Sequence, residues 1–231
     1  MSRLYEALRN AKAAAEPPAS ARLPPTVAGH LSPTDASAVR LYHAIEARLP
    51  GRSSRIVLVM GCGQGAGAST VAMNTARMAS VAAGRRVLLL NTADPVPPHL
   101  RLSGRSRSDG DDGMDVRGDE NGPPRLFMGA LPHEGINLAA VNQDKLRAYW
   151  DRLREQLDLV IIDAPPPYAS PVGLALAPTA DGVVLVLEAE RTRASAAAAA
   201  RDAIRSTGAN LLGVVLNKRR YHVPRFLYDQ L

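Results

Sequence analysis

The sequence of 231 residues has little cysteine, few aromatic residues and little lysine. A single thiol, Cys62, excludes a disulfide framework and a cysteine-based metal cluster, and it is typical of a reducing compartment. Aromatic residues make up 4% of the chain against 46% hydrophobic residues, so the core must consist mainly of Val, Leu, Ile and Ala. Such a core favours a parallel sheet covered by helices over a β-sandwich.

The sequence also lacks long apolar segments and metal-binding patterns. No stretch of about 18 apolar residues is present to span a membrane, and no charged start followed by an apolar run resembles a signal peptide. We therefore expect a cytoplasmic protein, with any membrane association made peripherally at the inner face through a partner. The histidines show no metal-ligand spacing; they are His30, His43, His99, His133 and His222.

Positive charge comes almost entirely from arginine. Of the 28 basic residues only three are lysines, namely Lys12, Lys145 and Lys218, and the net charge is +6. The arginines are spread along the chain without interleaved aromatic residues, so we expect no nucleic acid as a direct ligand. The charge leaves open a weak attraction to an acidic membrane surface or an acidic partner.

Three regions follow one another along the chain. Residues 1–16 have helical spacing and are expected to form a helix that either packs on the domain or docks on a partner. Residues 17–34 are rich in proline and predict a semi-rigid linker. Residues 35–231 are expected to form one domain, in which the polar, glycine-rich segment 103–125 is a mobile loop.

Apolar segments alternate with helical patterns in this domain. The predicted strands cover residues 55–60, 87–90, 159–162, 183–187 and 211–216. The predicted helices cover residues 35–48, 68–83, 142–157 and 192–207, and Gly208 is expected to cap the last of them. This order predicts an α/β fold with a mostly parallel sheet, whose ligands bind at the carboxyl ends of the strands.

A glycine-rich turn joins the first strand to the next helix. The segment 61–70, GCGQGAGAST, is expected to direct backbone N–H groups and a helix N-terminus at one anion. The P-loop pattern is glycine, four residues, then Gly-Lys-Ser/Thr. Gly67 and Ser69 fit it, Cys62 replaces the first glycine, and Ala68 stands where the lysine belongs. The residues expected to bind nucleotide in this loop are Gly63, Gly65, Gly67, Ala68, Ser69 and Thr70.

The missing lysine should weaken catalysis. By analogy with lost transition-state donors, about 3 kcal/mol or more of stabilisation is absent, while backbone amides and Mg²⁺ on Ser69 could still hold a nucleotide. Neither Lys145 nor Lys218 can be placed near the loop from the sequence. Two other interpretations stay open: a merely structural glycine turn, and a dinucleotide fingerprint over residues 61–66, against which Asn91 stands where a ribose-binding acid is expected.

An aspartate follows the third apolar strand. Asp163 comes directly after the run LVII, where a P-loop fold carries the Walker B carboxylate that holds Mg²⁺ through water or orients the attacking group. We therefore predict Asp163 as a catalytic and metal-binding residue, together with Ser69 for the metal.

The segment DLVIIDAPP, which begins at Asp158, resembles the Walker B segment of the bacterial tyrosine kinases that work with polysaccharide co-polymerases. Residues 179–193 and 208–217 are similar to the stretches that follow it in these kinases, and residues 1–8 resemble the start of some members. The resemblance implies a P-loop NTPase fold from about residue 35 onward, ATP or ADP with Mg²⁺ as cofactor, and a role for Asn217 at the adenine.

The chain departs from the family at the positions that carry catalysis and assembly. Ala68 replaces the lysine, and Asn91-Thr-Ala-Asp94 replaces an Asp-Ala-Asp motif, which leaves Asp94 as a displaced catalytic candidate. The Glu-x-x-Arg-x-x-Arg assembly motif is reduced to Arg40, between Ser37 and His43. The tyrosine-rich tail is reduced to two possible phosphoacceptors, which are Tyr221 and Tyr228.

These departures are typical of a pseudokinase. The resemblance implies a degenerate member that acts in exopolysaccharide or capsule assembly by binding a membrane co-polymerase or a cognate tyrosine kinase, as a homo- or hetero-oligomer. One alternative is an active ATPase or tyrosine autokinase that compensates for Ala68. A second is a positioning ATPase of the partition or septum-site type. Cys62 is interpreted as a small filler residue rather than as a reactive thiol.

Overall fold

The computed structural model describes residues 33–92, 116–118, 125–131 and 143–219. The predicted helix at residues 1–16 and most of the linker lie outside these ranges. The elements in chain order are α1 Pro33–Arg48, β1 Arg55–Gly61, α2 Ala68–Val81, β2 Val87–Asn91, β3 Val116–Gly118, β4 Leu126–Ala130, α3 Gln143–Arg154, β5 Leu159–Ala164, α4 Val172–Leu176, β6 Gly182–Glu188, α5 Ala194–Ser206 and β7 Leu211–Asn217.

The described strands form one sheet in the order β3-β4-β2-β5-β1-β6-β7. Every neighbouring pair is parallel except β3 with β4, which is antiparallel. Strand β1, which leads into the glycine-rich loop, therefore lies inside the sheet, with β5 on one side and β6 on the other. The predicted α/β fold with a mostly parallel, helix-flanked sheet is confirmed.

Helices cover both faces of the sheet, so the inner strands are apolar on both sides. On one face α1 and α2 pack through Tyr42, Ile45 and the alanines of α2. On the other face α3, α4 and α5 contribute Trp150, Leu176 and Ile204 among others. Continuous burial of β1, β2 and β5 is what two-sided covering of a parallel sheet requires.

The predicted element boundaries shift by a few residues. Strand β5 runs through Asp163 to Ala164, so this aspartate lies within the strand rather than after it. Helix α1 begins at Pro33, inside the segment predicted as linker, because proline is well suited to the first turn of a helix. Gly208 follows α5 with a φ of 78°, the left-handed conformation expected of a glycine cap.

Two strands were not predicted from the sequence. Strand β4 has five residues, and its neighbour β3 has three and lies within the segment predicted as a mobile loop. Three residues are too few to show an alternation of apolar and polar positions, and the apolar run of β4 is interrupted by Gly129. The rest of that segment, apart from Arg125, lies outside the described residues.

Among the described residues, no helix combines the length and the apolar character needed to cross a membrane.

Candidate nucleotide-binding site

The loop between β1 and α2 has the shape of an anion cradle. Gly65 and Gly67 have φ angles of 78° and 85°, a left-handed conformation that glycine adopts without steric cost. The amide of Ala66 donates to the carbonyl of Gly63 at 3.1 Å, and that of Val71 donates to the carbonyl of Gly67 at 3.0 Å. The loop therefore closes on itself and passes directly into the first turn of α2.

A cavity of about 630 Å³ opens in front of this loop. It lies at the carboxyl ends of β1, β2 and β5, where a parallel α/β sheet binds its ligands. Its volume falls within the range of about 300–1,000 Å³ that is usual for ligand pockets. The walls consist of Gly61, Gly63, Gln64, Gly65, Ala66, Gly67, Ala68, Ser69, Thr70, Thr92, Asp163, Ala164, Pro165, Pro166, Ala169, Ser170 and Lys218.

Asp163 is the acidic residue of these walls. In the register of the sheet it lies between Val59 of β1 and Asn91 of β2. Asp163 is 5% exposed, and its backbone carbonyl accepts hydrogen bonds from the amide and the hydroxyl of Thr92 at 3.0 and 2.9 Å. Thr92, which the sequence analysis did not single out, thus holds the end of β2 against the strand that carries the aspartate.

Asn217 reaches the phosphate loop from the end of β7. Its Nδ2 donates to the carbonyl of Ala66 at 2.9 Å. A Cβ added at Gly67 would lie 2.3 Å from the same Nδ2, so the contact requires glycine at this position. The structure thus places Asn217 against the loop, while its role at an adenine stays a prediction.

Lys218 also contacts the loop, although its position could not be predicted from the sequence. Its Nζ donates to the carbonyl of Gly65 at 2.6 Å and to Glu188 Oε1 at 3.3 Å. It is the cationic residue of the cavity walls. The available signal was that Lys218 follows directly on Asn217 at the carboxyl end of a parallel strand, where such folds place their ligands.

Tyr168 contacts the other side of the loop. Its hydroxyl accepts a hydrogen bond from the amide of Gln64 at 2.7 Å, and the residue is 70% exposed. The sequence analysis did not select this tyrosine, because an isolated aromatic residue after three prolines gives no periodic signal. The backbone N–H of Gln64, one of the donors that the loop could offer to an anion, is therefore bonded to a side chain instead.

The structure brings most of the predicted site residues together. Those that line one cavity are Gly63, Gly65, Gly67, Ala68, Ser69, Thr70 and Asp163. Asp94, Tyr221 and Tyr228 lie outside the described residues, and their roles stay predictions. Cys62 is buried beside the loop, and burial raises the pKa of its thiol, in keeping with its interpretation as a filler residue.

Arg40, the arginine that remains of the assembly motif, lies on α1 with its flanking residues Ser37 and His43. Arg40 and His43 are exposed, and Arg40 contacts Ser37 through a hydrogen bond of 3.4 Å. Neither residue is among those that line the cavity.

The donor set suits a phosphate-bearing ligand better than a bare metal ion. Within the described ranges, no group of three or more His, Cys, Asp or Glu side chains could hold a metal. Mg²⁺ usually keeps several waters and takes only one or two protein ligands besides the phosphates of a substrate. The Ser69 hydroxyl and the Asp163 carboxylate, on the walls of one cavity, are compatible with that mode.

Strand order, glycine loop and aspartate together define a P-loop NTPase fold. Strand β1 leads into the loop, α2 starts at its end, and β5 beside β1 carries Asp163. No protein-family model and no curated protein matches the chain.

Solved structures with this fold include bacterial tyrosine-kinase domains. The kinase domain of Escherichia coli ETK is 15% identical, with a TM-score of 0.67, over 82% of this chain and 78% of that one. The kinase domain of VpsO is 21% identical, with a TM-score of 0.61, over 81% and 95% of the two chains. A Cyanothece McdA variant in complex with ATP is 17% identical, with a TM-score of 0.56, over 72% and 71%. At such identities the likeness shows a shared fold.

Proposed function

We propose that this chain is a tyrosine-kinase-like P-loop protein with little or no phosphoryl transfer, which acts in exopolysaccharide or capsule assembly by docking on a membrane co-polymerase or a partner kinase. The observation that carries the proposal is Ala68 on the wall of a cavity that otherwise keeps its glycine loop and its Asp163. The scaffold of the site is retained, while the side chain that stabilises transferring phosphate is absent.

The kinase resemblance supports the biological setting. The sequence around Asp163 resembles the Walker B segment of tyrosine kinases that work with co-polymerases, and two of the similar solved structures are kinase domains. Nucleotide with Mg²⁺ is the proposed ligand of the cavity, held by loop amides, Ser69 and Asp163. When bound, the ion would screen phosphate charge, and the chain's own residues would orient the nucleotide.

The catalytic part of the proposal is tested by restoring the lysine. Native protein and Ala68→Lys are compared for ATP hydrolysis and for phosphotyrosine formation with Mg-ATP. We expect native turnover near background and a rise of about 100-fold in the variant, the effect of one preorganised transition-state donor. Native activity that Ala68→Lys does not increase, and that Asp163→Asn abolishes, would establish the alternative of an active enzyme.

The docking part is tested by association. The full chain is titrated with the cytoplasmic segments of any co-polymerase, and with any tyrosine kinase, that is encoded alongside it. We expect binding to at least one of them that Ala68→Lys leaves unchanged. Absence of binding to both would overturn the docking role, whatever the outcome of the hydrolysis assay.

A further inference from the structure

Lys218 leaves β7 in a conformation that is unusual for its residue type. Its φ of 58° is left-handed, which is unfavourable for a side chain with a Cβ. Such strain persists only where the surrounding contacts maintain it, and it often occurs at functional sites. Here the turn directs the side chain back toward the glycine loop, and its Cε lies 3.9 Å from where a Cβ on Gly67 would stand.

Two acceptors fix the ammonium group of this lysine. One is the carbonyl of Gly65 at 2.6 Å, and the other is Glu188 Oε1 at 3.3 Å. Glu188 pairs with Asn217 across β6 and β7, so the carboxylate is set one residue away from the lysine. Burial acts to raise the pKa of Glu188, but the hydrogen bond and the charge of Lys218 lower this pKa overall. The carboxylate that accepts from Lys218 is therefore ionised at neutral pH.

Positive charge in the cavity would strengthen the binding of a diphosphate, and Ala68 does not provide it. Of the residues that line the described cavity, Lys218 is the one cation. An ammonium group has three donors, and two of them are used within the described part of the chain.

We propose that Lys218 is a nucleotide-binding residue of this cavity, and that from the end of β7 it supplies the diphosphate with the positive charge that a lysine at position 68 would supply from α2. The inference deepens the proposed function, since it assigns the cation of the same site. It requires the protein to bind nucleotide, whereas the proposed docking role does not.

The test is calorimetric titration with Mg-ADP of the native full chain, Lys218→Met and Lys218→Arg. Lys145→Met serves as the matched control, because it removes the same charge from helix α3. We expect Lys218→Met to bind about tenfold more weakly, the effect of one charged hydrogen bond. Lys218→Arg should recover part of the loss, and Lys145→Met should bind like the native protein.

Salt separates a charge effect from a structural one. The difference between native protein and Lys218→Met should shrink from ~0.05 M to ~0.5 M NaCl, because screening weakens charge interactions. Equal affinity of the two proteins would overturn the inference, as would a salt-independent loss together with a lowered Tm. A native protein that binds no Mg-ADP would also overturn it, and would leave the docking role to its own association test.

Discussion

Asp181 joins three segments at the amino edge of the sheet, the edge opposite the cavity. Its Oδ1 accepts from Arg52 Nη1 at 2.6 Å and from Arg154 Nη2 at 2.8 Å, and its Oδ2 accepts from the amide of Ile56 at 2.7 Å. The side chain is 5% exposed, against 51% for Arg52 and 23% for Arg154. The carboxylate therefore connects the start of β1, the end of α3 and the turn before β6.

The cost of Asp181→Asn can be worked out from these contacts. Asparagine keeps one carbonyl oxygen but loses the charge and one of the two acceptor atoms. The half-buried bond to Arg154 should contribute about 1.5–3 kcal/mol as a charged hydrogen bond, and the exposed pair with Arg52 at most about 1 kcal/mol. We expect the free energy of unfolding to fall by the sum of these two contributions, about 1.5–4 kcal/mol.

Asp151→Asn is the matched control. Asp151 lies 4.0 Å from Arg154 Nε and its side chain is 74% exposed, so the same substitution should change the free energy of unfolding by less than about 0.5 kcal/mol. Urea unfolding followed by circular dichroism measures both variants, and the Tm of Asp181→Asn should fall by roughly 5–10 °C. Equal stability of the two variants would refute the assignment of Asp181 as a structural connection.

Three further predictions concern the loop and its supports. Gly67→Ala should lower the free energy of unfolding by about 2–3 kcal/mol, because the φ of Gly67 is 85° and the new Cβ would lie 2.3 Å from Asn217 Nδ2. Gly63→Ala is the control in the same unfolding assay, because its new Cβ would have no atom within 4 Å. Tyr168→Phe should tighten Mg-ADP binding about threefold in calorimetry by freeing the amide of Gln64, and weaker binding would instead assign the hydroxyl to the ligand. Burial acts to raise the pKa of Asp158, but hydrogen bonds and charge from Arg86 lower it overall. Its stabilising contribution is therefore complete above the unfolded pKa of about 4 and is lost as pH falls through the lower folded pKa. Asp158→Asn should therefore make the stability of the protein less dependent on pH in the acid range, and an unchanged pH dependence there would contradict the prediction.

The parts of the fold that sequence predicts well are those with strong local signals. Strands β1, β2 and β5 each contain an uninterrupted run of four or more apolar residues, and the glycine loop is contiguous in sequence with β1 and α2. Strand β4 has five residues after a polar segment, and nothing local reveals that it pairs with β2. The placement of β1 between β5 and β6 is likewise a property of the packed sheet and not of any one segment.

The site divides in the same way. The loop residues and Asp163 were predictable because each lies at or directly after the carboxyl end of a buried apolar run, and strand ends meet at one edge of a parallel sheet. The contact of Lys218 with Gly65 spans 153 positions of sequence, and that of Gln64 with Tyr168 spans 104. The first contact depends on the left-handed conformation of Lys218 at the end of β7, and the second on the pairing of β1 with β5. Neither feature can be recognised from the local sequence around the lysine or the tyrosine.

The position of the positive charge bears on what the site is able to do. A lysine at position 68 would stand at the start of α2 on a flexible stem, free to follow a phosphoryl group as charge develops on it. Lys218 instead contacts Gly65 and Glu188 from the end of β7, so we expect its charge to act on the ground state and the transition state alike. An interaction that is equally strong in the ground state and the transition state tightens binding without raising the rate. We therefore expect the native cavity to bind a nucleotide more readily than it hydrolyses one. This expectation explains together why the glycine loop and Asp163 are present while position 68 has no lysine.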